Sequence, residues 1–142
     1  MKSPIGEPPP VLSRHAVRVG YVDTDKAGVV HHSTYLSYLE AARIEHQRAR
    51  GLSYHDFEVE TGLALPVVDA HLRYRSPARF DDALTIETWV AEVTRAKVVY
   101  AQRVMREDEV LVEAQIVLAC VAMDEGRIVS IPARIAESCR KP

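Results

Sequence analysis

Between Val110 and Ala122 every even-numbered residue is apolar: Val110, Val112, Ala114, Ile116, Leu118, Cys120 and Ala122, with Glu113 and Gln115 among the odd ones. A repeat of two sends alternate side chains to opposite faces, so this stretch reads as a strand with one buried face. A shorter alternation sets Leu84, Ile86, Thr88 and Val90 against Thr85, Glu87 and Trp89. Further strands are expected over 14–22, 63–75, 97–106 and 128–131, with turns at Glu107-Asp108-Glu109 and Asp124-Glu125-Gly126-Arg127. Short turns favour antiparallel neighbours. The chain is therefore expected to be α+β, an antiparallel sheet of five or six strands with a helix against one face. The other face presents Trp89 and Val99, which predicts its burial in an oligomer.

The helix is expected to start at Ser33 or Thr34, either of which can cap it. Tyr35, Leu36, Leu39, Ala42 and His46 share one side; Ser37, Glu40, Arg43, Gln47 and Arg48 fall largely elsewhere. Arg48 and Arg50 complement the carbonyl end, and Gly51 supplies a left-handed stop. A short second helix is expected between a Ser53 cap and Gly62.

The length, 142 residues, suits one domain. Four of the eight prolines fall in the first ten residues, so residues 1–12 read as a flexible tail and 13–142 as the domain. A formal net charge of −2 argues against a nucleic-acid partner. The longest apolar run, Ile116 to Met123, is too short for a membrane span, and the N-terminus lacks a signal-peptide core. Two cysteines, Cys120 and Cys139, imply no disulfide framework and suit a reducing cytoplasm.

The chemistry concentrates in Tyr21-Val22-Asp23-Thr24-Asp25-Lys26-Ala27-Gly28-Val29-Val30-His31-His32-Ser33-Thr34-Tyr35. A carboxylate pair, a flexible glycine, two histidines and a helix start lie within fifteen residues. A helix start offers unpaired amides and partial positive charge, which stabilise an oxyanion, while a carboxylate beside it can attack a carbonyl or deprotonate water. That set suits acyl-group hydrolysis. A calcium loop is excluded by Ala27 at its fifth position and Thr34 at its twelfth. A zinc site from His31, His32 and His46 lacks ligand spacing, so no metal is expected. Taken alone, Asp23 and Asp25 would be loop residues bonding local amides.

The same segment resembles the signature of the 4-hydroxybenzoyl-CoA thioesterase family of hotdog-fold proteins, especially the bacterial acyl-CoA thioesterases of the Tol-Pal type. The resemblance rests on Asp23-Thr24-Asp25, Gly28-Val29-Val30, His31-His32, Tyr35-Leu36 and Leu39-Glu40-Ala41-Ala42-Arg43. A second block adds Leu65-Pro66-Val67-Val68 and Tyr74-Arg75-Ser76-Pro77-Ala78-Arg79-Phe80-Asp81-Asp82-Ala83-Leu84; together they span about residues 14–125.

It implies a hotdog fold, a long central helix wrapped by the sheet, assembled as dimers or tetramers. It implies hydrolysis of a short, medium-chain or aromatic acyl-CoA, with Asp25 as nucleophile or general base and the His32 amide polarising the carbonyl. Coenzyme A is then part of the substrate, and no other cofactor is implied. Gly28, Val30 and His31 become substrate-binding candidates, His31 standing where many relatives have tyrosine. Arg75, Arg95 and Lys97 become candidates for the coenzyme's phosphates. Arg79 is a further candidate cation. Glu40 is a rival carboxylate, set against its pairing with Arg43 one turn on. Tyr35 and Tyr38 are expected to pack. The competing functions are a hotdog hydratase or dehydratase, whose Asn-Pro between Asp and His is missing here, and a non-catalytic acyl-CoA-binding protein.

Overall fold

Three strands joined by short turns, β4 (Ala83–Val93), β5 (Val98–Arg106) and β6 (Glu109–Leu118), form the middle of an antiparallel sheet in this computed structural model, which describes residues 2–142. β1 (Ser13–Arg18) adds along β4 and β3 (Val67–Tyr74) along β6, giving five strands in the order β1-β4-β5-β6-β3. The β5–β6 turn needs a left-handed residue, which Glu107 supplies at φ 56°.

Two strands expected to be continuous are broken. The stretch 63–75 divides into β2 (Leu63–Ala64) and β3, and 110–122 divides into β6 and β7 (Cys120–Ala122). Pro66 has no amide to donate to a ladder, but its carbonyl accepts from the Ala119 amide at 3.2 Å. Both segments change sheets there, and β2, β7 and β8 (Arg127–Val129) form a second sheet of three strands. The main sheet thus has the expected five antiparallel strands, and the second sheet of three is an addition to it. β1 also stops at Arg18, four residues short of the expected end, because a single-turn helix at Tyr21–Asp23 turns the chain.

The helix α1 (His32–Arg48) has 17 residues, about 25 Å at 1.5 Å per residue. Its backbone approaches β4 and β1 most closely, so it lies toward one side of the sheet. It opens at His32 with His31 in the cap position and no side-chain cap, so the expected Ser33 or Thr34 cap is not formed. The buried face also differs from the simple stripe: Arg43 and Gln47 are inside, whereas Leu36 is 44% exposed.

The sheet supplies the reason. Its inner face carries Thr88, Tyr100 and Gln102, all buried. Arg43 donates to Gln102 Oε1 at 3.1 Å, and Gln102 donates to the Leu39 carbonyl at 3.0 Å and Thr88 Oγ1 at 2.9 Å. Gln47 donates to the Tyr100 hydroxyl at 2.6 Å and accepts from Ser138 in α3 (Ala133–Arg140). Buried polar groups are tolerated when partnered in this way.

Trp89 and Val99 are 7% and 5% exposed in the single chain, so the expected open second face is not open at these positions. Trp89 shares a depression with Pro9, Val11 and Cys139, placing the tail and α3 beside it. The Ser3 hydroxyl also reaches back to donate to Glu113. Leu111 and Glu113, on the odd side of β6, are buried too, so that strand has two covered faces. The short helix α2 (Tyr54–Thr61) has the expected limits: Ser53 Oγ accepts from the Asp56 amide at 3.3 Å, and Gly62 adopts φ 68°. Cys120 and Cys139 are buried free thiols.

Candidate active site

The segment ahead of α1 is a tight hairpin. Thr24 bridges Val30 and Val29 bridges Arg79, while the Asp25 amide donates to the Val29 carbonyl at 2.9 Å. The Gly28 amide returns to the Asp25 carbonyl at 3.0 Å, and this reversal holds Gly28 at φ 82°, where a side chain would be strained. Val30 is buried, its amide bonded to the Ala78 carbonyl at 2.9 Å.

The two aspartates of the motif have different surroundings. Asp23 accepts from the Gly20 amide at 3.0 Å and the Tyr38 hydroxyl at 2.7 Å, tying the loop to α1. Burial and this bond to Asp23 push the Tyr38 hydroxyl's pKa upward. Asp25 is exposed; its Oδ1 accepts from the Ala27 amide at 2.8 Å and the Val29 amide at 3.3 Å. Among the described residues its other oxygen has no protein donor.

Next to this loop the helix begins with unused donors. The His31 amide goes to the Asp23 carbonyl at 3.0 Å, and the Thr34 amide to the His31 carbonyl at 3.0 Å. Among the described residues, the His32 and Ser33 amides have no acceptor. They are the orphan groups of a first turn, carrying the helix's partial positive charge. The His32 imidazole lies on the Tyr74 ring, centroids 4.5 Å apart and planes at 25°, and the Tyr74 hydroxyl donates to the His32 carbonyl at 3.2 Å.

A cleft of about 190 Å³ opens here, lined by Val29, Val30, His32, Tyr35, Tyr74 and Arg75 with Ser76 and Pro77. Tyr35 is buried; its oxygen accepts from the Ala78 amide at 3.1 Å, and burial raises its pKa. Arg106 braces the far wall, pairing with Asp82 at 2.8 Å and donating to the Pro77 carbonyl at 3.2 Å. Arg75 pairs with Glu113. Burial pushes the Glu113 carboxyl up, but the Ser3 hydroxyl and Arg75 bring it below its usual range.

Of the sequence candidates, Val30, His32 and Arg75 meet in this cleft, with Asp25 and Gly28 on the adjoining hairpin and His31 exposed at the cap. Arg95 and Lys97 do not join them. They occupy the β4–β5 turn, closed by the Thr94 amide to the Lys97 carbonyl at 2.9 Å, where Arg95 borders a separate open depression with Arg127. Glu40 does not pair with Arg43: no nitrogen of Arg43 lies within ion-pairing distance of it, because Arg43 turns inward to Gln102 while Glu40 stays exposed. Tyr74, Ser76 and Pro77 belong to the second block of the sequence pattern, which gives them no role. Their signal was their place where one strand ends, since side chains at strand ends often line clefts. Among the described residues no three His, Cys, Asp or Glu side chains gather as metal ligands would.

The geometry can be set beside known proteins. Residues 19–138 match the model of the thioesterase-like superfamily. The chain belongs to that superfamily. It is a hotdog-fold thioester hydrolase, α+β with a five-stranded antiparallel sheet. Among its relatives, the acyl-CoA thioesterase YbgC of Haemophilus influenzae is 37% identical over 119 residues, covering 84% of this chain and 88% of the relative. The 4-hydroxybenzoyl-CoA thioesterase of a Pseudomonas species is 31% identical over 139 residues, covering 86% and 93%. A crystal structure of a 4-hydroxybenzoyl-CoA thioesterase mutant complexed with 4-hydroxybenzoyl-CoA superposes with TM-score 0.82 at 27% identity, covering 90% of this chain and 98% of that one. A hypothetical protein from Thermus thermophilus superposes at 0.84 with 36% identity, covering 91% and 95%.

Proposed function

We propose that this thioesterase hydrolyses a short, medium-chain or aromatic acyl-CoA to the free acid and coenzyme A. The observation that carries the reading is the pair of unbonded amides, His32 and Ser33, at a cleft beside the Asp25 hairpin. The thioester oxygen is placed at the head of α1, where the His32 amide receives the charge that develops on attack. Asp25, with one carboxylate oxygen free, either attacks the carbonyl carbon to give an acyl anhydride that water then opens to the free acid, or takes a proton from attacking water. A coenzyme A thiol has a pKa near the ~8.5 of a cysteine, so it leaves as thiolate without a dedicated acid. No cofactor enters beyond the coenzyme A of the substrate.

Gly28 gives the hairpin its reversal, Val30 forms the cleft floor and His31 its rim. Arg75 at the cleft is proposed to receive a coenzyme phosphate, and Arg95 and Lys97 act from their separate turn. For that turn to serve the same bound molecule, subunits have to combine. The exposed edge strand β3, with Val67 and Val68 accessible, supports assembly as a dimer or tetramer, in which α1 takes the central place the family pattern implies. No helix among the described residues is long and apolar enough to cross a membrane, and a bacterial cytoplasm is the proposed location.

The testing experiment is a panel of short, long and aromatic acyl-CoAs scored by kcat/KM for thiol release, with enoyl absorbance followed in parallel. Thiol release from at least one class supports hydrolysis. Loss of enoyl absorbance without thiol identifies a hydratase, and saturable binding with neither signal identifies a non-catalytic binder.

A further inference from the structure

The role of Tyr74 rests on the hydrolytic reading above but concerns a residue that reading does not use. Tyr74 touches His32 twice, through its ring and through its hydroxyl. The two contacts act on different parts of His32. Stacking holds the imidazole against the Tyr74 ring. The hydroxyl bonds the carbonyl of the His32–Ser33 peptide, and an acceptor bond at a carbonyl polarises the N–H of the same peptide. That N–H is the Ser33 amide, one of the two donors left free.

We propose that Tyr74 is a positioning residue that fixes the start of α1 and strengthens the Ser33 amide as a second donor to the thioester oxygen. Its support is rigid. Tyr74 is the last residue of β3, registered opposite Val112 of β6, and the Arg75 and Ser76 amides that follow both donate to the Leu111 carbonyl at 2.8 and 3.2 Å. The Tyr35 ring, 5.5 Å away, bounds its other side. The sheet is thereby joined to the helix start by one side chain rather than through the loop alone. A tyrosine hydroxyl, with a pKa ordinarily about 10, keeps its proton to donate across the neutral range, and burial moves that of Tyr74 further up.

The test uses Tyr74→Phe, which keeps the stack and removes the bond, and Tyr74→Leu, which removes both. Tyr74→Phe is expected to lower kcat about threefold to tenfold with KM little changed, the scale of one hydrogen bond. Tyr74→Leu is expected to lower kcat on the order of 30-fold, approaching the ~100-fold of a misplaced reacting group. In His32→Ala, which keeps the backbone amide, the added loss from Tyr74→Leu should shrink toward that of Tyr74→Phe. Amide NMR supplies a reading independent of turnover: Tyr74→Phe should move the Ser33 amide proton upfield and leave the His32 ring protons in place. An unmoved Ser33 amide, or a rise in KM with kcat intact, overturns the role. Wild-type protein that releases no thiol overturns the hydrolytic reading as well, whereas normal wild-type turnover with unchanged Tyr74 variants overturns the role alone.

Discussion

The Tyr38 hydroxyl donates to the Asp23 carboxylate at 2.7 Å, so the first aspartate of the motif is an anchor holding the hairpin to α1. Tyr38→Phe leaves the carboxylate with only the Gly20 amide. The expected cost is about 1–2 kcal/mol, seen as a melting temperature lower by about 3–8 °C. Asp23→Ala should destabilise similarly and lower kcat less than loss of Asp25 does. A melting temperature unchanged in both variants would contradict the anchoring role.

Among the described residues, Gln102 is the only group bonded to the Arg43 guanidinium, and it also satisfies the Leu39 carbonyl and Thr88. Gln102→Leu strands a buried charge, with an expected loss of about 3–5 kcal/mol in chemical denaturation. Adding Arg43→Met removes the stranded charge and should restore part of that loss. A double variant less stable than Gln102→Leu alone would oppose this assignment.

His46 is buried, bonded to Ser13 Oγ at 2.7 Å, and lies edge-on to Tyr100. Burial first, and then the nearby Arg50, lower its pKa from 6.5 to about 4. The folded state therefore binds this proton less readily than the unfolded chain. Above pH 6.5 both states are neutral and nothing changes; as pH falls from 6.5 toward 4 the unfolded chain protonates first and stability is lost. The loss is on the order of 2–3 kcal/mol. Melting profiles of wild type and His46→Gln should converge across that window, and parallel profiles would count against it.

Arg95 and Lys97 are exposed on one turn, apart from the cleft. If they meet coenzyme phosphates across an assembled subunit boundary, Arg95→Ala with Lys97→Ala should raise KM several-fold, more at low salt, with kcat retained. A salt-independent KM equal to wild type would remove them from the site.

The sequence was most readable where one local rule acted alone. Ser53 and Gly62 bounded α2 because a cap and a left-handed stop need no distant partner. The hairpin and helix start were legible from Asp23, Asp25, Gly28 and the histidines. Burial of Arg43 and Gln47 was not, since it depends on Gln102 and Tyr100 arriving from a strand more than fifty residues away. The strand breaks at Pro66 and Ala119 are hidden because apolar residues run unbroken through both, over 63–68 and 116–123, while hydrogen bonding moves to another sheet. The sequence presents Trp89 as open because nothing local to it shows that the tail and α3 lie beside it.

The central claim is that Asp25 performs the chemistry while the helix start only receives charge. Single-turnover thiol release from a bound acyl-CoA, compared between wild type and Asp25→Asn, tests it most directly. The account predicts a folded Asp25→Asn protein with acyl-CoA affinity near wild type and a rate at least ~100-fold slower. Thiol release by Asp25→Asn at the wild-type rate would contradict it.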